Sequence, residues 1–410
     1  MRENGSPVPP GSRPLHILHV CSGQDTGGQA IASKLAFAAV DPAVKVKVVT
    51  ASQSYIGYPL DPDLSNYAGA RGNWNWTAIQ ELYGAADLVV LHRDAVMYPR
   101  FDHGQRKPIV IHHHGTHFRR NPEVVWASGA AVGAVQCVST VDLLDCVPKG
   151  QTAHWLPQIV DVERLAVIRR VNYKRSKTIR IAHAPTDRLI KGTRYVEAVI
   201  RELAKKYPVQ AVIIERVSWE RCLARKATAD IYVDQFQLGY GNNTLEAWAL
   251  GMPVVCGADK PILARMRKEY HRKTRPFYEA TPETLYARLE ELILSESLRA
   301  EWAARGMAHI KRFHSQAAVV ARLNAIYASV PPSVGGPTAA DKAAAVAEAR
   351  AEQIRTRALP VAERIAKQAV VETERTRSRL HGITLRRHER IARHQQAVAD
   401  RAAQHQTRVA

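Results

Sequence analysis

Short apolar runs of β type alternate with helical patterns along most of the chain. The runs fall at residues 15–21 (LHILHVC), 44–49, 86–91 (ADLVVL), 109–112, 134–138 and 154–156. After Lys174 the alternation restarts at 178–182 (TIRIA), 209–214 (VQAVII), 230–233 and 253–256. Helical patterns lie between and after them, at 30–39, 193–206, 243–250, 282–294, 297–312 and 313–328. Strand–helix alternation run through twice predicts two doubly wound α/β domains with parallel sheets. Two such domains face each other across a cleft, where strand carboxyl ends and helix amino ends hold phosphorylated ligands. The expected divisions are a disordered N-terminus (1–14), domains at 15–160 and 161–312, a last body helix within 313–330, and a tail (331–410).

Composition adds charge to this picture. Of 410 residues 46% are hydrophobic and 23% charged, which suits a globular chain. Lys and Arg number 58 against 38 Asp and Glu, a net +20, so an anionic partner is expected: nucleic acid, a membrane surface or a phosphorylated substrate. The tail holds 15 basic against 8 acidic residues, and its whole +7 excess lies in 375–410. No aromatic residue follows Tyr327, so the tail reads as an exposed, partly helical basic arm that cannot build a core, or as a merely solubilising one. No apolar run approaches the ~20 residues of a membrane span, and residues 1–14 contain no secretory signal. Five scattered cysteines without a CxxC speak against a disulfide framework and for the cytoplasm.

The motifs exclude several chemistries. There is no GxGxxG after the first strand, no GxxxxGK[ST], no HExxH and no GxSxG, which removes the main support for dehydrogenase, P-loop, zincin and α/β-hydrolase readings. Gly27 and Gly28 follow the first strand and open a helix, where backbone amides can approach an anion, or simply make a tight turn. Arg188 and Lys191 stand just before a helix; a diphosphate between them explains two cations at an amino end better than two solvated side chains do. Residues 239–255 (GYGNNTLEAWALGMPVV) form a glycine loop, a helix and the next strand, with Glu246 one turn into the helix. There its carboxylate either accepts from a ribose diol or merely complements the helix dipole. His112, His113, His114 and His117 invite a metal reading, with His112 and His114 on one face of a strand and His113 on the other. No nearby carboxylate or cysteine completes a ligand set, so zinc is disfavoured and no metal or cofactor is expected.

Together these strings resemble the retaining nucleotide-sugar glycosyltransferases of the GT-B fold, family 4-like, over roughly residues 15–330. The segment 239–255 is similar to that family's glycine loop and EA-A-G-PVV signature, and 156–161 (LPQIVD) to its interdomain linker. The resemblance implies an N-terminal acceptor domain, a C-terminal donor domain and a last helix returning to the first domain. It also implies donor binding by Gly27, Gly28, Arg188, Lys191, Gly239, Tyr240, Gly241, Asn242 and Glu246, with His114, Arg188 and Lys191 in the chemistry. Two positions depart from the family. Leu238 stands where an acid usually contacts the sugar, leaving Asp234, Gln237 or loop amides to compensate; Arg188 and Lys191 are three apart rather than five. The implied reaction moves a sugar from a nucleotide diphosphate to an unknown acceptor (modified DNA, protein, lipid or glycan) by front-face attack with retention. Asp25 would be the base if the enzyme inverted. The rivals are a nucleic-acid-binding protein on an inactive scaffold and a sugar-nucleotide epimerase.

Overall fold

The structure, a computed structural model, describes residues 15–50, 57–58, 76–93, 95, 107–271 and 275–331. Residues 1–14 and the tail beyond Pro331 lie outside the described residues. The first domain carries β1 (His16–Cys21), β2 (Lys45–Thr50), β3 (Leu88–His92), β4 (Ile109–His113), β5 (Val135–Val138) and β6 (His154–Trp155), all parallel in the order β2-β1-β3-β4-β5-β6. Its helices are α1 (Gln29–Val40), α2 (Trp76–Ala85), α3 (Gly115–Arg120) and α4 (Pro122–Ala131). Strands β3 and β4 are buried along their whole length, which is why they read as continuous apolar runs.

The second domain repeats the plan. Strands β7 (Ile179–His183), β8 (Val209–Ile213), β9 (Ile231–Val233), β10 (Val254–Cys256) and β11 (Tyr278–Glu279) are parallel in the order β11-β10-β9-β7-β8. Around them lie α5 (Val162–Asn172), α6 (Thr193–Leu203), α7 (Trp219–Lys226), α8 (Asn242–Ala249), α9 (Lys260–Tyr270), α10 (Leu285–Leu294) and α11 (Glu296–Phe313). The fold is therefore the doubly wound pair that the alternation predicts. In each sheet the strand order reverses once, between β1 and β3 and between β7 and β9, and a crevice opens beyond the carboxyl ends there.

The last helix, α12 (Gln316–Ala328), follows the second domain but packs on the first. Its apolar stripe, Val319, Val320, Leu323, Ile326 and Tyr327, is buried in the core of β1–β4, and Tyr327 stacks on Phe37 of α1 at 6.2 Å. Ser315 caps it by accepting from the Ala318 amide. Both chain crossings are held together: the Val160 amide donates to the His314 carbonyl at 2.9 Å, and His314 Nδ1 lies 2.7 Å from the Gln158 carbonyl. The Ile159 amide donates to Gln29 Oε1 of α1 at 2.7 Å.

In the second domain α8 crosses α11 at Gly306, where a Cβ would lie 2.1 Å from the fully buried Trp248. An exposed helical Gly→Ala change gains ~1 kcal/mol from propensity. Here the clash reverses the sign, so Gly306→Ala should destabilise the fold by ~1–3 kcal/mol, the ordinary cost of overpacking. Thermal unfolding checks this: a melting temperature at or above that of the parent protein would contradict the packing described.

Candidate functional site

The crevice of the first domain begins after β1. Gly27 (φ 67°) and Gly28 (φ 68°) both take left-handed backbone, and a Cβ on Gly28 would sit 2.9 Å from the Tyr58 ring. Glycine is required there by conformation and by space. Just before them, Asp25 is buried and accepts from the Ala30 amide (2.9 Å) and the Ile31 amide (3.0 Å), one on each oxygen. It thus fixes the start of α1, one lone pair of each oxygen being engaged by those amides. Burial pushes its carboxyl up to about 6, against the opposing pull of those amides.

Across the cleft, Asn242 at the start of α8 donates from Nδ2 to the Gly27 carbonyl at 3.1 Å, joining the domains. The Tyr58 ring lies 5.1 Å from that of Trp219. Between these groups lies an open cavity of about 760 Å³, walled by Gly27, Gly28, Tyr58, Trp219, Asn242 and Glu246, with the crossing segment 159–161 alongside. Four of the residues expected at the donor, Gly27, Gly28, Asn242 and Glu246, are therefore brought together.

Glu246 is fixed from both sides. Trp219 Nε1 donates to Oε1 at 2.7 Å, and the Lys226 ammonium donates to Oε2. Lys226 is fully buried and also donates to Asn243 Oδ1 at 2.8 Å. Burial works against its charge, but the Glu246 carboxylate outweighs it and holds the ammonium above the usual lysine range. Lys191 is tied in turn to the fully buried Asp234 at 2.5 Å, whose other oxygen accepts from Thr244 Oγ1 at 2.6 Å. Burial pushes the Asp234 carboxyl up, yet Lys191 and Thr244 bring it below its ordinary value. Asp234 is thus committed to Lys191 and does not stand in for the acid missing at Leu238, whose backbone bridges to Ala258; the Gln237 side chain is exposed.

The other expected residues lie elsewhere. Arg188 is half-exposed and held by Glu197 (2.7 Å) and Glu215 (2.6 Å), and it does not line the cavity. Tyr240 turns inward, its hydroxyl within 2.9 Å of His309 Nε2, His314 Nε2 and the Tyr270 hydroxyl. Gly239 (φ 73°) packs against Met266, and Gly241 precedes α8 with open space at its Cβ position. His114 is buried at the end of β4, its Nε2 3.0 Å from His92 Nδ1, and His92 Nε2 is 2.9 Å from His19 Nδ1. His113 points to the opposite face, where Nε2 meets Gln136 Oε1 at 2.7 Å and the ring stacks on Phe118. Burial holds His19 and His114 down at about 3 and His92 and His112 well below the usual imidazole value, so these rings are neutral.

No protein-family profile matches the sequence, and comparison with curated proteins finds no sequence relative. Solved structures do share the architecture. One is an alpha-glucosyltransferase in complex with UDP and a 13-mer DNA containing an HMU base, 11% identical with a TM-score of 0.55 over 77% of this chain and 99% of that one. Another is Anabaena Alr3699/HepE in complex with UDP and glucose, 12% identical with a TM-score of 0.52 over 77% of this chain and 100% of that one. The fold is GT-B. In this GT-B cleft the residues missed from the sequence are Tyr58, Trp219, Lys226 and His92. A signal existed for Lys226 alone: it occupies the last place in the stripe Trp219, Cys222, Leu223, Lys226, spaced as one buried helix face.

The Asp25 environment gives a pH test. Between the ordinary 3.8 and about 6 the folded protein keeps a proton that the unfolded chain has lost. The stability this proton contributes is complete below about pH 4 and is lost as pH rises through about 6, by ~3 kcal/mol in all. Asp25→Asn should remove that slope. Urea unfolding at pH 4 and pH 7 measures it, and an unchanged gap between wild type and variant would refute the assignment.

Proposed function

We propose that the protein is a nucleotide-sugar-dependent glycosyltransferase, moving a hexose from a nucleoside diphosphate to an acceptor hydroxyl with retention. One observation carries this reading: the Gly27–Gly28 turn, the start of α8 and the Glu246 carboxylate share one cavity. The GT-B neighbours seen with UDP support it. The costly feature of the reaction is negative charge growing on the leaving phosphate, best met by fixed donors in a dry cleft. The Gly27 and Gly28 amides and the Lys191 ammonium supply them; Asp234 takes one of that ammonium's three donors. Trp219 and Lys226 hold Glu246 so that its remaining lone pairs meet the ribose diol. Arg188 joins only by exchanging Glu197 and Glu215 for the diphosphate. We assign His114 to the sugar from its place just after β4 and the resemblance there; its Nδ1 has no partner within the protein. The cations near the diphosphate are side chains, so no magnesium or manganese is required there.

Nucleic acid is the acceptor class best matched by the +20 charge, and the DNA bound by one GT-B neighbour supports it. The five free cysteines suit the cytoplasm, and among the described residues no helix is long and apolar enough to cross a membrane.

Titration with UDP tests the donor site. Lys191→Ala should weaken binding by ~1.5–3 kcal/mol. Glu246→Gln should weaken it too while keeping a partner for buried Lys226, which Glu246→Ala would strand. Unchanged affinity in both would remove the donor assignment. A mass-spectrometric donor screen, counting hydrolysis, should find turnover that survives EDTA. Activity lost to EDTA and restored by magnesium or manganese would overturn the metal-free diphosphate, and binding of DNA without turnover would favour an inactive scaffold.

The basic arm should hold the acceptor. If its cations neutralise phosphates, DNA affinity falls by ~0.9 log units per log unit of salt for each contact. Deleting residues 331–410 should flatten that slope and leave donor hydrolysis nearly unchanged; an identical slope would leave the arm merely solubilising.

A further inference from the structure

The geometry points to a zinc(II) site formed by His92, His112 and His114 in the first domain. The three stand on neighbouring strand ends. Parallel register sets His92 of β3 opposite His112 of β4, and His114 follows two residues later on the same face. One ring nitrogen from each lies within 4.8 Å of one from each of the others. His92 Nδ1 and His114 Nε2 are 3.0 Å apart, near the spacing of about 3.3 Å between nitrogens that share a tetrahedral zinc. The rings of His112 and His114 are 4.2 Å apart.

Of the ring nitrogens that would face the ion, His112 Nε2 is buried with no hydrogen-bond partner, in a residue only 4% exposed. An unpaired buried ring nitrogen is costly unless something else binds it. For His92 and His112 the outer contacts are those of ligating imidazoles, whose second nitrogen is normally held; His114 Nδ1 has no such partner. His92 Nε2 meets His19 Nδ1 at 2.9 Å, and the other His19 nitrogen faces Ser33 Oγ at 3.5 Å. His112 is oriented by the Leu156 backbone. That leaves His112 Nε2, His92 Nδ1 and His114 Nε2 as the ligating atoms. Ligation moves the proton of His114 from Nε2 to Nδ1, so all three rings stay neutral and no net proton is released. Three imidazoles, with Cys21 and Asp25 also within 4.8 Å of His92, suit zinc and its neighbours better than magnesium or calcium.

A route leads toward the three rings. A small pocket lined by His19, His92 and His112, with Gln29 and Ile159, adjoins them, and those last two also line the donor cleft. The proposal rests on these side chains alone and stands whether or not sugar transfer is the reaction.

The test uses the full chain without a polyhistidine tag, stripped with a chelator and titrated with cobalt(II) and then zinc(II). We expect one cobalt per chain with the absorption of a four-coordinate site, displaced by zinc, and an X-ray absorption spectrum showing three imidazole ligands. His92→Gln and His112→Gln should weaken uptake at least tenfold. His19→Phe, which removes only the outer contact, should weaken it about 10–100-fold. The exposed His154→Gln and His271→Gln should leave it unchanged. If the ligand variants fail to fold, the wild-type titration decides. A stripped wild type that takes up neither ion overturns the site, as does uptake that the ligand variants share or the surface variants abolish.

Discussion

The whole site depends on how the two domains are joined at their crossings. The chain passes between domains at 156–161 and again at 314–315, and the two passages are bonded to each other through Val160, His314 and Gln158. Gln29 binds the same segment from the first domain through Ile159. α12 then buries five apolar side chains in the first core, which at ~1.5–3 kcal/mol each makes detaching it expensive. Without that anchorage Gly27 and Glu246 would lie on independent bodies. With it they line one cavity.

Buried charge is the second organising theme. Asp234 and Glu246 flank the start of α8, each paired with a lysine from another element, Lys191 and Lys226. Such pairs add little net stability, because desolvation offsets their attraction, but losing one member is severe. Their effect is to fix carboxylates and ammonium groups where solvation would otherwise leave them free to wander.

Each apolar run read from the sequence became a strand; β3 and β4, covered on both faces, are buried along their length, whereas β2 alternates and β8 is partly exposed. β11 escaped, being only Tyr278 and Glu279. α5 and α7 escaped as well: α5 exposes Val167 and Val171, and α7 hides a lysine in its buried face, so neither shows a clean stripe. The candidate site was legible where one short string supplied it, as with Gly27–Gly28 and residues 239–255. Tyr58 joins it, and the Glu246 partners Trp219 and Lys226 meet it, through tertiary packing; only the helical spacing that buries Lys226 was readable locally. The histidines show the same limit: periodicity paired His112 with His114 and set His113 apart, while His92, 20 residues earlier, arrives only by strand register.

The contact from Asn242 to the Gly27 carbonyl shows how little holds the facing walls of the cleft to each other at that point. It is a neutral hydrogen bond, worth ~0.5–1.5 kcal/mol. The same carbonyl also accepts from Gln29 Nε2 at 3.2 Å, so it keeps a partner if the Asn242 amide turns away. Exchanging that amide for a group on an incoming ligand therefore leaves the first-domain turn satisfied, and the cost falls on Asn242 alone.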